Sequence, residues 1–261
     1  VRDAATDSVG AARVRSACAD FRSLRFGPLP GSREEADEVA RLLRLHAGAS
    51  GKIEPVIELL GAGAGVREFK QQAAGRRILH LATHAYSVGD CAGTPAADEA
   101  DILPISSALH APFTAEDPLI RTGLALAGAN SREQRPGSRA GDDGILTAQE
   151  IATMDLGGVE WAVLSACETG VGPVQTGEGV FGLRRTFQVA GARTVIMSLW
   201  KVDDLATRDW IRSLYEYRLE GRSTVDAVRD ASLAMIDLRR KAGVTTHPFY
   251  WGAFVAAGDW K

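Results

Sequence analysis

The pattern of apolar and polar positions along the chain predicts strands that alternate with helices. Three apolar, β-favouring runs are bounded by turn residues and predict buried strands: 77–84, 161–164 and 193–199. Apolar residues at helical spacing predict five helices: 32–46, 66–74, 180–190, 205–219 and 224–241. Elements in this order are typical of a mainly parallel sheet that is covered by helices on both faces.

Weaker patterns complete this assignment. We expect further strands at 54–60, 119–127 and 249–257. Residues 85–117 contain three prolines and no periodicity, and they predict a long irregular insertion. Residues 1–26 are small, polar and basic. We therefore expect a poorly ordered N-terminal segment, or the remnant of a longer protein, at 1–27 and one domain at 28–261.

Some residues predict where helices begin and end. The pairs Ser32 with Glu35 and Thr147 with Glu150 match the capping box, in which each side chain satisfies a backbone N–H of the other residue. Gly191 follows the last residue of the predicted helix 180–190, where a glycine in the left-handed conformation commonly ends a helix.

A cysteine and a histidine each stand where a predicted strand ends. Cys167 follows the strand 161–164, and His84 ends the strand 77–84. Functional residues of parallel sheets collect at the carboxyl ends of strands, so a thiol and an imidazole at one edge can form a nucleophilic pair. The alternative for Cys167 is a buried, unreactive side chain, which is common for a lone cysteine.

A second histidine invites a metal interpretation. His80 precedes His84 by four residues. On an extended strand their Cα atoms are about 13 Å apart, which is too far for both to bind one ion. We expect His80 to be a hydrogen-bonded residue of the core and His84, at the mouth of the sheet, to be the base.

Two carboxylates, Asp203 and Asp204, follow the strand 193–199 at the same predicted edge. One of them fits the N-cap of the next helix, where a carboxylate accepts hydrogen bonds from backbone N–H groups. The other fits the wall of a pocket that selects a basic side chain.

Composition narrows the classes of function. The 261 residues carry a net charge of −3, which gives no indication of nucleic-acid binding. No apolar run approaches the roughly 20 residues that span a membrane. The three cysteines form no Cys-x-x-Cys pair, so the sequence predicts neither a disulfide framework nor a zinc site and favours a reducing cytoplasm. No nucleotide-binding loop or serine-hydrolase elbow is matched, and we expect no metal and no cofactor.

Several ordered segments together resemble the CHAT family, the caspase-like domains usually found next to TPR repeats. The matching segments are 29–31, 78–84, 143–151, 164–170, 177–183, 190–196, 198–204 and 247–251. The resemblance implies an α/β fold, a caspase-like three-layer α/β/α sandwich with a mainly parallel central sheet. It also implies cysteine endopeptidase chemistry without a cofactor, in which His84 is the catalytic histidine and Cys167 is the nucleophile.

The resemblance extends to the surroundings of this pair. It implies an oxyanion hole formed by the backbone N–H groups of Cys167 and of the residue after the histidine. Here that residue is Ala85, where the family usually has glycine, and a requirement for positive φ would be unfavourable for alanine. Caspase-type sites also place the S1 pocket, which binds the substrate side chain before the cleaved bond, at positions matching Ser165, Trp200, Asp203 and Asp204. The two acids predict a basic residue at that substrate position (P1).

The resemblance also implies a biological setting. CHAT-like proteases are often regulated by an attached TPR or other sensor region, and bacterial ones often cleave the product of a neighbouring gene. We therefore expect a cytoplasmic protease that cleaves a partner protein, such as a pore-forming effector in antiviral defence, and that binds neither nucleic acid nor membrane. The alternative is a catalytically degenerate CHAT scaffold that acts as a protein-interaction module, for which the Ala85 departure is the main support.

Overall fold

The computed structural model describes residues 24–50, 55–88, 117–134, 143–165 and 178–260. The α-helices in these residues are α1 Pro30–Ser50, α2 Val66–Ala73, α3 Pro118–Arg121, α4 Ala148–Ala152, α5 Glu178–Val189, α6 Asp204–Leu219 and α7 Thr224–Lys241. The strands are β1 Ile78–Leu81, β2 His84–Ser87, β3 Thr122–Ala125, β4 Ile145–Thr147, β5 Trp161–Leu164, β6 Thr194–Ser198 and β7 Phe254–Gly258. Short 3-10 helices lie at Gly61–Gly63, Ala129–Gln134 and Pro248–Tyr250.

The strands form two sheets. The main sheet has the order β1-β5-β6-β7, in which β1, β5 and β6 are parallel and β7 runs antiparallel to β6. The second sheet is antiparallel and has the order β2-β3-β4. Since β2 begins only three residues after β1 ends, the chain passes directly from the main sheet into the small one.

Side chains of β5 alternate between two hydrophobic cores, because successive residues of a strand face opposite sides of a sheet. Trp161 and Val163 pack in a core with residues of α1, α6 and α7. Ala162 and Leu164 pack in a second core with residues of α2, α4 and α5. The main sheet thus lies between two layers of helices, which confirms the predicted three-layer α/β/α sandwich with a mainly parallel sheet.

Several predicted elements differ from those observed. The predicted strand 77–84 ends at Leu81, and residues 84–87, of which 85–87 were expected in a loop, form β2. Of the predicted strand 119–127, residues 122–125 form β3, whereas residues 119–121 lie in helix α3. Residues 145–147 form β4, directly before the helix that the capping box of Thr147 predicts. Residues 55–60 have no regular secondary structure, although a strand was predicted there. These short segments depend on pairing or packing with distant residues, which a local pattern does not encode.

Two of the three predicted helix signals are confirmed. Thr147 and Glu150 form a capping box at the start of α4. Gly191 has a φ of +113° and follows α5, and the N–H of Ala192 bonds to the carbonyl of Phe187, as in a Schellman motif. The capping box of Ser32 is wrong, because α1 begins at Pro30, a residue whose fixed φ suits the first helical position.

The residues just before α1 are packed. Leu24 is 1% exposed and Phe26 is 9% exposed, and both belong to a small hydrophobic cluster with residues of β2 to β4. Residues 1–23 lie outside the described part of the chain. The boundary between segments 1–27 and 28–261 stays a prediction.

Candidate active site

The carboxyl ends of three parallel strands define one edge of the main sheet. Leu81 of β1 pairs with Leu164 of β5, which in turn pairs with Met197 of β6. The chain segments that follow these three strands therefore start side by side. They contain the predicted site residues His84, Ser165, Trp200, Asp203 and Asp204. Cys167 comes three residues after Leu164 in sequence and lies outside the described residues.

The imidazole of His84 is held by a backbone carbonyl. Its Nε2 atom lies 2.7 Å from the carbonyl oxygen of Gly27. A carbonyl oxygen only accepts hydrogen bonds, so Nε2 carries the proton, and Nδ1 of the neutral ring is an acceptor. The contact therefore leaves Nδ1 as the nitrogen that can take a proton.

The Gly27 carbonyl is fixed in turn by an asparagine that sequence analysis did not identify. The N–H of Phe26 donates to Asn130 Oδ1 at 3.0 Å, and Asn130 Nδ2 donates to the Phe26 carbonyl at 2.8 Å. The Phe26 ring also lies against the His84 ring, with centroids 5.6 Å apart. No local sequence pattern signals this role, because Asn130 contacts a backbone 104 residues away.

Ala85 is compatible with the backbone conformation that it adopts. No residue other than glycine has a positive φ in the described chain, so alanine at this position introduces no backbone strain. The N–H of Val88 donates to the Arg121 carbonyl, so these two residues form a hydrogen-bonded pair of the antiparallel β2–β3 ladder. Because hydrogen-bonded pairs alternate along such a ladder, Tyr86 and His84 also belong to hydrogen-bonded pairs. Ala85 falls on a non-hydrogen-bonded pair, and its N–H therefore points away from β3.

Ser165, the last described residue before Cys167, contacts a buried carboxylate. Its hydroxyl donates to Glu35 Oε2 at 3.0 Å. Glu35 is only 4% exposed, and its Oε1 atom lies 2.9 Å from His80 Nε2. His80 Nδ1 lies 3.2 Å from the hydroxyl of Tyr215. His80 is therefore a hydrogen-bonded residue of the interior, as predicted, whereas the buried position of Glu35 was missed.

A sequence signal for Glu35 does exist. Glu35 precedes Val39 by four residues and Leu42 by seven, which places an acid in the apolar stripe of α1. A carboxylate in an apolar stripe predicts a buried acid with polar partners.

The two aspartates have different positions at the start of α6. Asp203 is the N-cap, and its Oδ1 atom accepts hydrogen bonds from the N–H groups of Leu205 and Ala206 at 3.1 and 3.2 Å. Asp204 is the first helical residue, is exposed, and lies beside Gly31 of α1. The indole of Trp200 donates to the Phe249 carbonyl at 3.0 Å. The prediction that one of the two acids caps the helix is confirmed for Asp203.

In the described ranges, with gaps between them, no group of three or more His, Cys, Asp or Glu side chains is arranged to hold a metal ion. No helix within them has the length and apolar character needed to cross a membrane.

Comparison with known proteins assigns the family. Tetratricopeptide repeat protein 28 of Homo sapiens is 28% identical over 235 residues, and its Mus musculus counterpart is 26% identical. These alignments cover 90% of this chain but only 9% of either relative, so the chain spans about a tenth of the relatives' length. The model of the CHAT domain family matches residues 2–259. The chain therefore belongs to the CHAT domain family, whose fold is caspase-like.

Proposed function

We propose that this chain is a cysteine endopeptidase that cleaves a partner protein through a Cys167–His84 dyad. The observation that carries the proposal is the contact between His84 Nε2 and the Gly27 carbonyl. This contact favours the tautomer in which Nδ1 accepts a proton. The strands that precede His84 and Cys167, β1 and β5, end side by side at Leu81 and Leu164. Membership of a caspase-like family supports the same chemistry.

The proposed reaction begins when the Cys167 thiol transfers its proton to His84 Nδ1. The thiolate attacks the carbonyl carbon of the peptide bond, and the negative charge moves to the carbonyl oxygen. The N–H groups of Ala85 and Cys167 stabilise this oxyanion, and each such donor contributes about 3 kcal/mol in comparable sites. His84 then protonates the leaving amine, and water hydrolyses the thioester to release the acid and regenerate the thiol.

We also propose a preference for Lys or Arg at P1. The support is the position of Asp204, which is exposed at the site edge and is not used as the helix cap. Asp203 already accepts two backbone hydrogen bonds, so Asp204 is the better candidate to pair with a basic side chain. Ser165 and Trp200 complete the proposed S1 pocket.

The proposed setting rests on the family and on the relatives. Since the related proteins are named for tetratricopeptide repeats, a TPR or other sensor region is the proposed regulator. A cytoplasmic role in bacterial signalling or antiviral defence, with a neighbouring-gene product as substrate, is proposed from the family resemblance.

The test is cleavage of candidate partner proteins by Cys167→Ala, His84→Ala and the unmodified chain. We expect Cys167→Ala to abolish cleavage, and His84→Ala to lower kcat by about 10²–10⁴-fold, the range for a general acid–base residue. Cys18→Ser and Cys91→Ser are the matched controls and should cleave normally. A folded Cys167→Ala variant that still cleaves would contradict the dyad. Partner binding without cleavage by any form would favour the interaction-module alternative.

A further inference from the structure

A buried polar cluster lies next to the proposed active site and is not used by the dyad. It consists of Glu35 of α1, His80 of β1, Tyr215 of α6 and Ser165, which follows β5. The side chains of Glu35 and His80 are only 6% and 10% exposed. Three elements and the residue after β5 thus supply one side chain each, and water hardly reaches those of Glu35 and His80.

Geometry and chemistry assign the protons in this cluster. Burial, and then the negative charge of Glu35, raise the pKa of the Tyr215 hydroxyl far above its usual range, so Tyr215 keeps its proton and donates to His80 Nδ1. Because Nδ1 accepts this hydrogen bond, the neutral His80 ring has its proton on Nε2, which lies 2.9 Å from Glu35 Oε1. The N–H is not aligned for a hydrogen bond, and the contact is a close polar one. The other carboxylate oxygen accepts from Ser165.

Burying a carboxylate costs free energy, because the charged group loses its hydration. Apolar residues of similar volume often replace buried charged pairs without loss of stability. Glu35 lies in the apolar stripe of α1, where leucine or valine would pack against the neighbouring core. The presence of an acid at this buried position therefore points to a role other than packing.

The position of Ser165 supplies that function. Ser165 is two residues before Cys167, so any constraint on Ser165 restricts where the chain leaves β5 on its way to the nucleophile. We infer that Glu35 is a positioning residue for Cys167, acting through its hydrogen bond to Ser165, while His80 and Tyr215 hold the carboxylate in place. This inference rests on the proposed cysteine peptidase function.

The test uses a Cys18→Ser, Cys91→Ser background, in which Cys167 is the sole thiol. Glu35→Leu, Ser165→Ala and the double variant are compared by kcat and KM for peptide cleavage and by the rate of Cys167 alkylation with iodoacetamide. Glu34→Leu is the matched control, because Glu34 is the adjacent acid on α1 and is exposed, with its carboxylate on Arg208. Thermal unfolding monitors the fold. Should Glu35→Leu fail to fold, Glu35→Met replaces it in the same cycle, because methionine is similar in length to glutamate and has no strong hydrogen-bond acceptor.

Each single variant should lower kcat by about tenfold, slow alkylation and leave KM nearly unchanged, as expected when one hydrogen bond that orders the nucleophile is lost. The double variant should be no slower than the slower single variant, because both changes remove the same contact. The control should match the background protein. Additive losses, or a change confined to KM, would overturn the positioning role and leave Ser165 as a pocket residue.

The alkylation rate separates this inference from the proposed function. If the background protein cleaves nothing, the peptidase proposal fails, and the non-additive slowing of alkylation still reports the coupling between Glu35, Ser165 and Cys167. If it cleaves normally and the variants alkylate at the background rate, the inference fails alone.

Discussion

A single backbone carbonyl, that of Gly27, decides which nitrogen of His84 carries the proton. At the same scale, Asp203 and Asp204 are adjacent in sequence but differ in what they contact. Asp203 satisfies two N–H groups at the start of α6, and Asp204 is exposed at the site edge. The hydrogen bonds therefore distinguish Asp203, the helix cap, from Asp204, the residue that we propose to bind a basic side chain.

Separate substitution of the two aspartates tests this assignment. Asp203→Ala should lower the free energy of unfolding by about 1 kcal/mol, because it removes a helix cap. It should leave the P1 preference unchanged. Asp204→Ala should reduce discrimination between Lys and Leu at P1 by roughly tenfold, the effect of one charge-assisted hydrogen bond. Urea unfolding and a peptide library give the two measurements, and a reversed result would exchange the roles.

At the scale of elements, the site depends on connections between segments that are distant in sequence. The Ala129–Gln134 3-10 helix carries Asn130, which holds the segment before α1 through both polar groups of the Phe26 backbone. That segment presents the Gly27 carbonyl to His84. The orientation of the proposed base is therefore set by a loop outside the main sheet.

Asn130→Ala removes both hydrogen bonds to Phe26. We expect kcat for peptide cleavage to fall by about tenfold, since a net loss of about 1 kcal/mol per hydrogen bond would loosen the Gly27 contact. Ser131→Ala, in the same 3-10 helix, is the control and should keep the normal rate. An Asn130→Ala protein with unchanged kcat would show that the Gly27 contact does not depend on this loop.

Another connection joins the amino ends of β1 and β5. Arg77 donates two hydrogen bonds, each of 3.0 Å, to the Glu160 carboxylate. These bonds, together with the positive charges of Arg77 and Arg218, lower the pKa of Glu160 below its usual range. A carboxyl group whose pKa is lower in the folded state stabilises the fold above the unfolded pKa, about 4.3, and loses that contribution as the pH falls through the folded value.

The difference in the free energy of unfolding between the unmodified chain and Glu160→Gln should therefore depend on pH. At pH about 7 the variant should be less stable, by no more than about 1 kcal/mol, because the Arg77 and Glu160 side chains are 54% and 29% exposed. The difference should shrink towards zero as the pH falls below about 4.3. Urea unfolding at several pH values measures it, and a difference independent of pH would contradict the assignment.

For the whole molecule, the sequence predicted the layers of the fold better than the contacts of the site. The strands β5 and β6 and the helices α5 to α7 have their own periodicity, and they lie within a few residues of the predicted positions. Of the small sheet, β3 was predicted within the strand 119–127, but β2 and β4 were missed, because strands of three or four residues gain stability mainly from pairing, as between His84 and Ala125. Glu35 was assigned to a helix cap because its true partners, His80 and Ser165, are far away in sequence.

The most direct test of the proposed dyad is labelling with a peptidyl electrophile that carries Lys or Arg at P1, followed by mass spectrometry of the modified peptides. We expect selective modification of Cys167 over Cys18 and Cys91 and a large decrease in that modification in His84→Ala. Equal modification of the three cysteines, or labelling of Cys167 that does not depend on His84, would contradict it.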